Sequence, residues 1–152
     1  MSATQSGVLF SVWMFARIGA FALFWRWSGW HYRFRWLLAA FLALALGFAG
    51  MVLSPHLGLA MISQVALGSA LGLIYYSSLF YSMDLGDTRG EHGGLHEAAL
   101  GVGVFVGPTI GAAALQVAPG LPNAGMWTVS GLLVLGLGGL MALRWKGRRG
   151  PV

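Results

Sequence analysis

Residues 84–112 read DLGDTRGEHGGLHEAALGVGVFVGPTIGA, and the two halves of this stretch decide the fold. The first half holds every acidic residue of the chain: Asp84, Asp87, Glu91 and Glu97. The second half is apolar, with Ala99, Gly103, Gly107 and Gly111 at every fourth position and Pro108 inside the series. A four-residue spacing lays these small residues along one face of a helix. Such a ridge lets a neighbouring membrane helix approach until the two backbones nearly touch. Pro108 deletes one backbone donor and crowds the preceding turn, so a kink or a local loosening is expected there. In a bilayer that is tolerable only where protein or a cavity satisfies the freed carbonyl.

Composition agrees with a membrane setting. Of 152 residues, 57% are hydrophobic and 9% charged, and the mean hydropathy is +0.74. A water-soluble domain carries about a quarter charged residues, so this chain lacks the polar surface to cover itself. Its apolar runs approach the roughly twenty residues needed to cross a bilayer. They are continuous rather than alternating, which excludes barrel strands. The expected fold is all-α, a polytopic transmembrane helical bundle of about five spans at 7–27, 36–53, 57–83, 94–116 and 124–143, followed by a basic tail at 144–152. The chain has no cysteine, which excludes disulfides and thiolate chemistry.

Charge placement gives an orientation. The net charge is +5, yet the basic residues gather at span ends (Arg26, Arg33 and Arg35, then Arg144, Lys146, Arg148 and Arg149) instead of along one soluble face, so nucleic-acid binding is not expected. The connection between spans one and two carries three arginines, the next carries no Lys or Arg, the third has Arg89, the fourth has none and the tail is basic. This alternation puts the N-terminus outside and the C-terminus in the cytoplasm of a cell or inner membrane. The Trp and Tyr residues at 25–36 fit an aromatic belt at the cytoplasmic interface. The start, MSATQSG, has no basic n-region, so no cleavable signal peptide is expected.

Several residues are candidates for function. Arg17 falls near the middle of span one, where an arginine costs roughly 2.5–3.5 kcal/mol on insertion scales. It is therefore expected to face a cavity, there to bind an anionic group or pair with a carboxylate. Span three places Gln64, Gly68, Gly72 and Tyr76 at intervals of four, with Gly68 and Gly72 a small-xxx-small pair for close helix approach. Gln64, Tyr75 and Tyr76 are candidates for lining a cavity. His92 and His96, four apart, are read as part of a solvated loop because Gly93 and Gly94 weaken any helix between them; no metal site is expected. Thr88 and Glu91 fit a capping box. Glu97 is placed in the first turn of span four, where the macrodipole favours a carboxylate. With Asp84 and Arg89 it is also a candidate cytoplasmic gate, paired to Arg89 or to an arginine of the first connection. Gly107→Leu is expected to disturb packing more than Gly138→Leu in span five. There is no Ser-His-Asp arrangement, P-loop or dinucleotide fingerprint, so neither an enzyme nor a cofactor is expected.

GVFVGPTIGA at 103–112 resembles the GxxxGPxxGG motif of major facilitator superfamily transporters, with Ala112 in place of the last glycine. RGEHGGLHEA at 89–98 is similar to the Arg-Gly…Gly…Glu-Ala loop that precedes this kind of helix in the C-terminal half of some members. The tyrosine-rich end of span three looks like that fold's tenth helix. The first connection keeps the arginines of the family's basic loop, as Arg26, Arg33 and Arg35, and lacks its aspartate. The resemblance aligns the five spans with helices eight to twelve. It implies a partial major facilitator fold, in which Gly103, Gly107, Pro108 and Gly111 form a packing or gating motif. It also implies alternating access for a small solute, coupled to protons. Less than one half of such a fold needs the missing N-terminal helices, a second chain or another copy of itself. The alternatives are a small tryptophan-rich ligand-binding membrane protein of translocator or sensory type, to which seven tryptophans are similar but whose Trp-Pro pattern is missing, and a structural subunit of a membrane complex.

Overall fold

Five helices account for almost all of the described backbone in a computed structural model that describes residue 7 and residues 11–84 and 89–149, with side chains at 7, 11–84 and 91–147. They are α1 (Val12–Arg26), α2 (Phe34–Leu53), α3 (Leu57–Asp84), α4 (Arg89–Val117) and α5 (Ala124–Arg149). The described residues are all-α. Among the described residues, four segments are long and apolar enough to cross a membrane: Phe34–Leu53, Leu57–Asp84, Glu91–Val117 and Ala124–Gly147. The fifteen described residues of α1 extend about 22 Å, short of a hydrocarbon core of about 30 Å; residues 8–10 of the expected first span lie outside the described residues.

The chain divides into two compact units, one up to Ala99 and one from Leu100 onward. In the first, α3 packs against both α1 and α2. Both seams rest on glycine. A Cβ at Gly68 would run into the backbone carbonyl of Trp13 and lie 2.9 Å from the Ala16 Cβ; one at Gly72 would lie 2.7 Å from the Ala20 Cβ. On the other side of α3, a Cβ at Gly47 of α2 would sit 2.9 Å from the Ser63 carbonyl oxygen and the Leu67 nitrogen, and one at Gly50 would strike the Ser63 hydroxyl. The Gly68/Gly72 pair thus permits the close helix approach its spacing implies.

Burial runs opposite to that of a water-soluble protein. The buried positions of α3 include Ser63, Gln64 and Ser77, whereas Phe15, Leu46, Phe105 and Leu135 are exposed. Large apolar groups facing outward and small or polar groups facing inward suit a lipid solvent, where association depends on close packing and hydrogen bonds.

The connection between α1 and α2 folds back onto α3. Trp30 is 2% exposed and centres an aromatic core: its ring meets Phe24, Tyr76, Phe80 and Tyr81 edge-on at 5.4–6.3 Å. Its indole N–H donates to the Phe24 carbonyl at 3.3 Å, and His31 stacks on Phe80 at 4.3 Å. Within the expected aromatic belt, then, Trp25 is exposed but Trp30 is interior.

In the second unit, α4 continues unbroken through Pro108. The Thr109 hydroxyl donates to the Phe105 carbonyl at 2.7 Å, one position beyond the Val104 carbonyl that a proline at 108 cannot bond. Asn123, at φ 61°, turns the chain into α5, a left-handed conformation that asparagine tolerates better than most residues. Its carbonyl accepts from the Trp127 N–H at 3.1 Å. A Cβ at Gly125 would lie 3.2 Å from the Gly111 carbonyl oxygen, so the hairpin is tight at this end.

Candidate functional site

α4 begins at Arg89, about five residues before the expected start of span four, and this early start builds the site. His92, Gly93, Gly94 and His96 are helical, which overturns the reading of a solvated loop. Two glycines lower helix propensity by only about 1 kcal/mol each, a cost that side-chain contacts to α3 can offset. Glu97 consequently lies in the third turn of α4 and not the first, where Glu91 stands. The macrodipole account of Glu97 fails, since that effect fades beyond the first turn.

The extra turns carry His96 and Glu97 alongside α3. The Tyr75 hydroxyl donates to Glu97 Oε1 at 2.7 Å. His96 Nε2 lies 2.7 Å from Ser78 Oγ, and its Nδ1 lies 3.5 Å from Glu97 Oε1 without hydrogen-bond geometry. The Tyr75 and His96 rings meet edge-on at 5.3 Å. From α1, the Arg17 guanidinium sits 5.0 Å from the Tyr75 ring centre and 5.4 Å from that of Phe21. Tyr75 therefore stands between cation and carboxylate, its ring facing one and its hydroxyl bonded to the other. Among the described residues Arg17 forms no ion pair, and its Nε is buried with no hydrogen-bond partner.

Hydrogen-bond accounting limits the protons this cluster holds. The Ser78 hydroxyl has one proton, and it is directed to the Tyr75 carbonyl at 2.9 Å. Ser78 Oγ can then only accept from His96, so the imidazole proton belongs on Nε2. His96 Nδ1 is buried with no hydrogen-bond partner among the described residues.

Gln64 is 2% exposed with its Oε1 unpartnered, but it lies eleven residues before Tyr75, roughly 16 Å along the helix. Tyr76 joins the Trp30 core, its ring 5.6 Å from that of Trp30 and 6.2 Å from that of Phe21. Asp84 does not join Glu97: it accepts a hydrogen bond from the Tyr32 hydroxyl, while the Tyr32 N–H donates to Tyr81 Oη at 2.7 Å. Tyr32 holds φ 54° in this clasp, a conformation that costs a bulky residue of order 1–3 kcal/mol. The bond to Asp84 raises the Tyr32 phenol above its usual 10.0, with smaller contributions from desolvation and the Asp84 charge. Glu97 thus pairs with Tyr75 and His96 rather than an arginine of the first connection; Thr88 and the Arg89 side chain lie outside the described residues.

The ridge of Gly103, Gly107 and Gly111 has no described neighbour within 4 Å of a Cβ at any of the three. Ser78 was missed in the sequence, and His96 was read as part of a solvated loop. The signal available was that Tyr75 and Ser78, three apart, share a helix face. Compared with known proteins, the chain matches no family model, no curated protein and no solved structure.

Proposed function

We propose that the chain is the C-terminal part of a facilitator-type secondary transporter, with its N-terminus outside and C-terminus in the cytoplasm, moving a small anionic solute in exchange with a proton. The observation that carries this reading is the chain of side chains Arg17, Tyr75, Glu97, His96 and Ser78 drawn from three apolar helices. Ionisable residues inside membrane helices are costly, and those that persist mark ion and substrate pathways. Arg17 provides the anion contact, and Glu97 with His96 provides the proton site. Tyr75 couples them, because any displacement of its ring changes both contacts. The uncovered ridge on α4 supports a contact with further helices, supplied by the N-terminal part, a second chain or another copy.

The test is uptake into membrane vesicles containing the assembled protein, across a panel of labelled carboxylates, phosphate and neutral sugars. Arg17→Ala and Glu97→Gln should each abolish uptake at unchanged protein level, and an imposed pH gradient should drive uptake by the native protein. Full uptake by either variant rejects the reading.

A further inference from the structure

Where the basic connection meets the ends of α2 and α3 there is a pocket of about 220 Å³, separate from the polar chain above. Trp30, Tyr32, Arg33, Trp36, Ser77 and Tyr81 are among its walls. Arg33 is exposed and makes no side-chain hydrogen bond or ion pair among the described residues. The Trp36 indole Nε1 is buried with no hydrogen-bond partner, a donor left unsatisfied. Asp84, the nearby acid, is engaged by Tyr32. One end of the pocket therefore offers a cation and an unused donor amid aromatic rings, with the local carboxylate occupied elsewhere.

A second hollow of similar size, about 220 Å³, shares Trp36 and Leu73 with the first. It continues along Ala39 and Ala43 of α2 and Ala66 and Ala70 of α3, toward the middle of both spans. A largely aromatic mouth with Arg33 on its wall at the span ends, opening onto a smooth alanine groove that runs inward, has the layout of a lipid: headgroup at the interface, chain along the helix. A free phosphate would leave the groove unexplained, and an apolar ligand would leave Arg33 and Trp36 unpaired. Basic residues at a membrane surface are attracted to anionic lipid.

We propose that this pocket and groove form a specific site for one anionic phospholipid, its phosphate held by Arg33 and the Trp36 indole and one acyl chain lying in the alanine groove. The site staples the α1–α2 connection to α2 and α3 from outside the aromatic core.

The experiment is native mass spectrometry of the chain extracted into detergent with equal amounts of phosphatidylglycerol and phosphatidylcholine of identical chains. A one-lipid adduct with at least fivefold preference for phosphatidylglycerol is expected. Arg33→Gln should bring the ratio to about one, while Arg35→Gln, which does not line the pocket, should keep it. Equal adducts in the native chain, or an unchanged ratio in Arg33→Gln, overturn the site. Displacement of the lipid by millimolar inorganic phosphate would also overturn it, by showing that the mouth alone binds. A readout without substitution is tryptophan quenching by chain-brominated lipids: phosphatidylglycerol should quench more strongly than phosphatidylcholine, and equal quenching counts against the site.

Discussion

Two glycine-bearing helices in this protein have the same spacing and opposite surroundings. In α3, Gly68 and Gly72 are buried and pressed against the backbone and Cβ atoms of α1; in α4, Gly103, Gly107 and Gly111 face open space. The difference teaches that a small-residue ridge records the capacity for close approach and nothing about what approaches. α3 has its partner because α1 arrives within the same unit, and the polar groups Ser63, Gln64 and Ser77 lie buried on the same helix. α4 keeps an equally smooth face, and among the described residues Gly125 approaches it, at the carbonyl of Gly111.

The largest effect should come from filling the occupied seam. Gly68→Leu forces a side chain against the Trp13 carbonyl; overpacking against backbone should cost about 3 kcal/mol or more, and monodisperse protein after detergent extraction should nearly vanish. Normal yield would mean that α1 and α3 do not meet there. Next is the aromatic core: Trp30→Ala should cost about 3–5 kcal/mol and lower the detergent melting temperature sharply. Trp127→Ala, exposed on α5, should leave that temperature unmoved, and similar shifts in the two would erase the contrast between the units.

A smaller change is expected at the polar chain. Tyr75→Phe keeps the ring over Arg17 and removes the bond to Glu97, costing about 1 kcal/mol and flattening the pH dependence of uptake; an unaltered pH profile would detach Tyr75 from the proton site. Subtler still is the clasp. Because folding raises the Tyr32 pKa, its stabilising contribution is complete below about pH 10 and is lost as pH rises through the higher folded value. Absorbance titration of phenolate should show this tyrosine ionising late, and Asp84→Asn should bring it down.

The smallest effect is predicted where the sequence pattern is most conspicuous. Gly107 and Gly138 both have empty space around a Cβ, so leucine at either should leave the yield of the isolated chain unchanged, and the expected ranking of the two fails at this level. Gly107→Leu should become the more damaging only when the full assembly is purified. A loss of yield in the isolated chain would show that the ridge is already covered.

Much of the fold was legible because helices in lipid satisfy their own backbone, so apolar length and glycine spacing predict them locally. The Gly68/Gly72 contact could be read for the same reason. Glu97 was misplaced because Gly93 and Gly94 argue against a helix on intrinsic propensity, and contacts from Tyr75 and Ser78 outweighed it. Trp30 was placed in the belt because its partners Tyr76, Phe80 and Tyr81 lie about fifty residues away. Gly47 and Gly50 drew no notice among the many glycines, since only the arrival of Ser63 distinguishes them.

By itself, the sequence determined an all-α chain with apolar helices long enough to cross a membrane, the cation at Arg17 and the two glycine ridges, all consequences of composition and of periodicity within single helices. Tertiary structure alone decided that Arg17, Tyr75 and Glu97 form one chain while Gln64, Tyr76 and Asp84 stand apart, and that one ridge is filled and the other open. Those outcomes depend on where three helices cross and how each is rotated, which spacing along one helix does not encode.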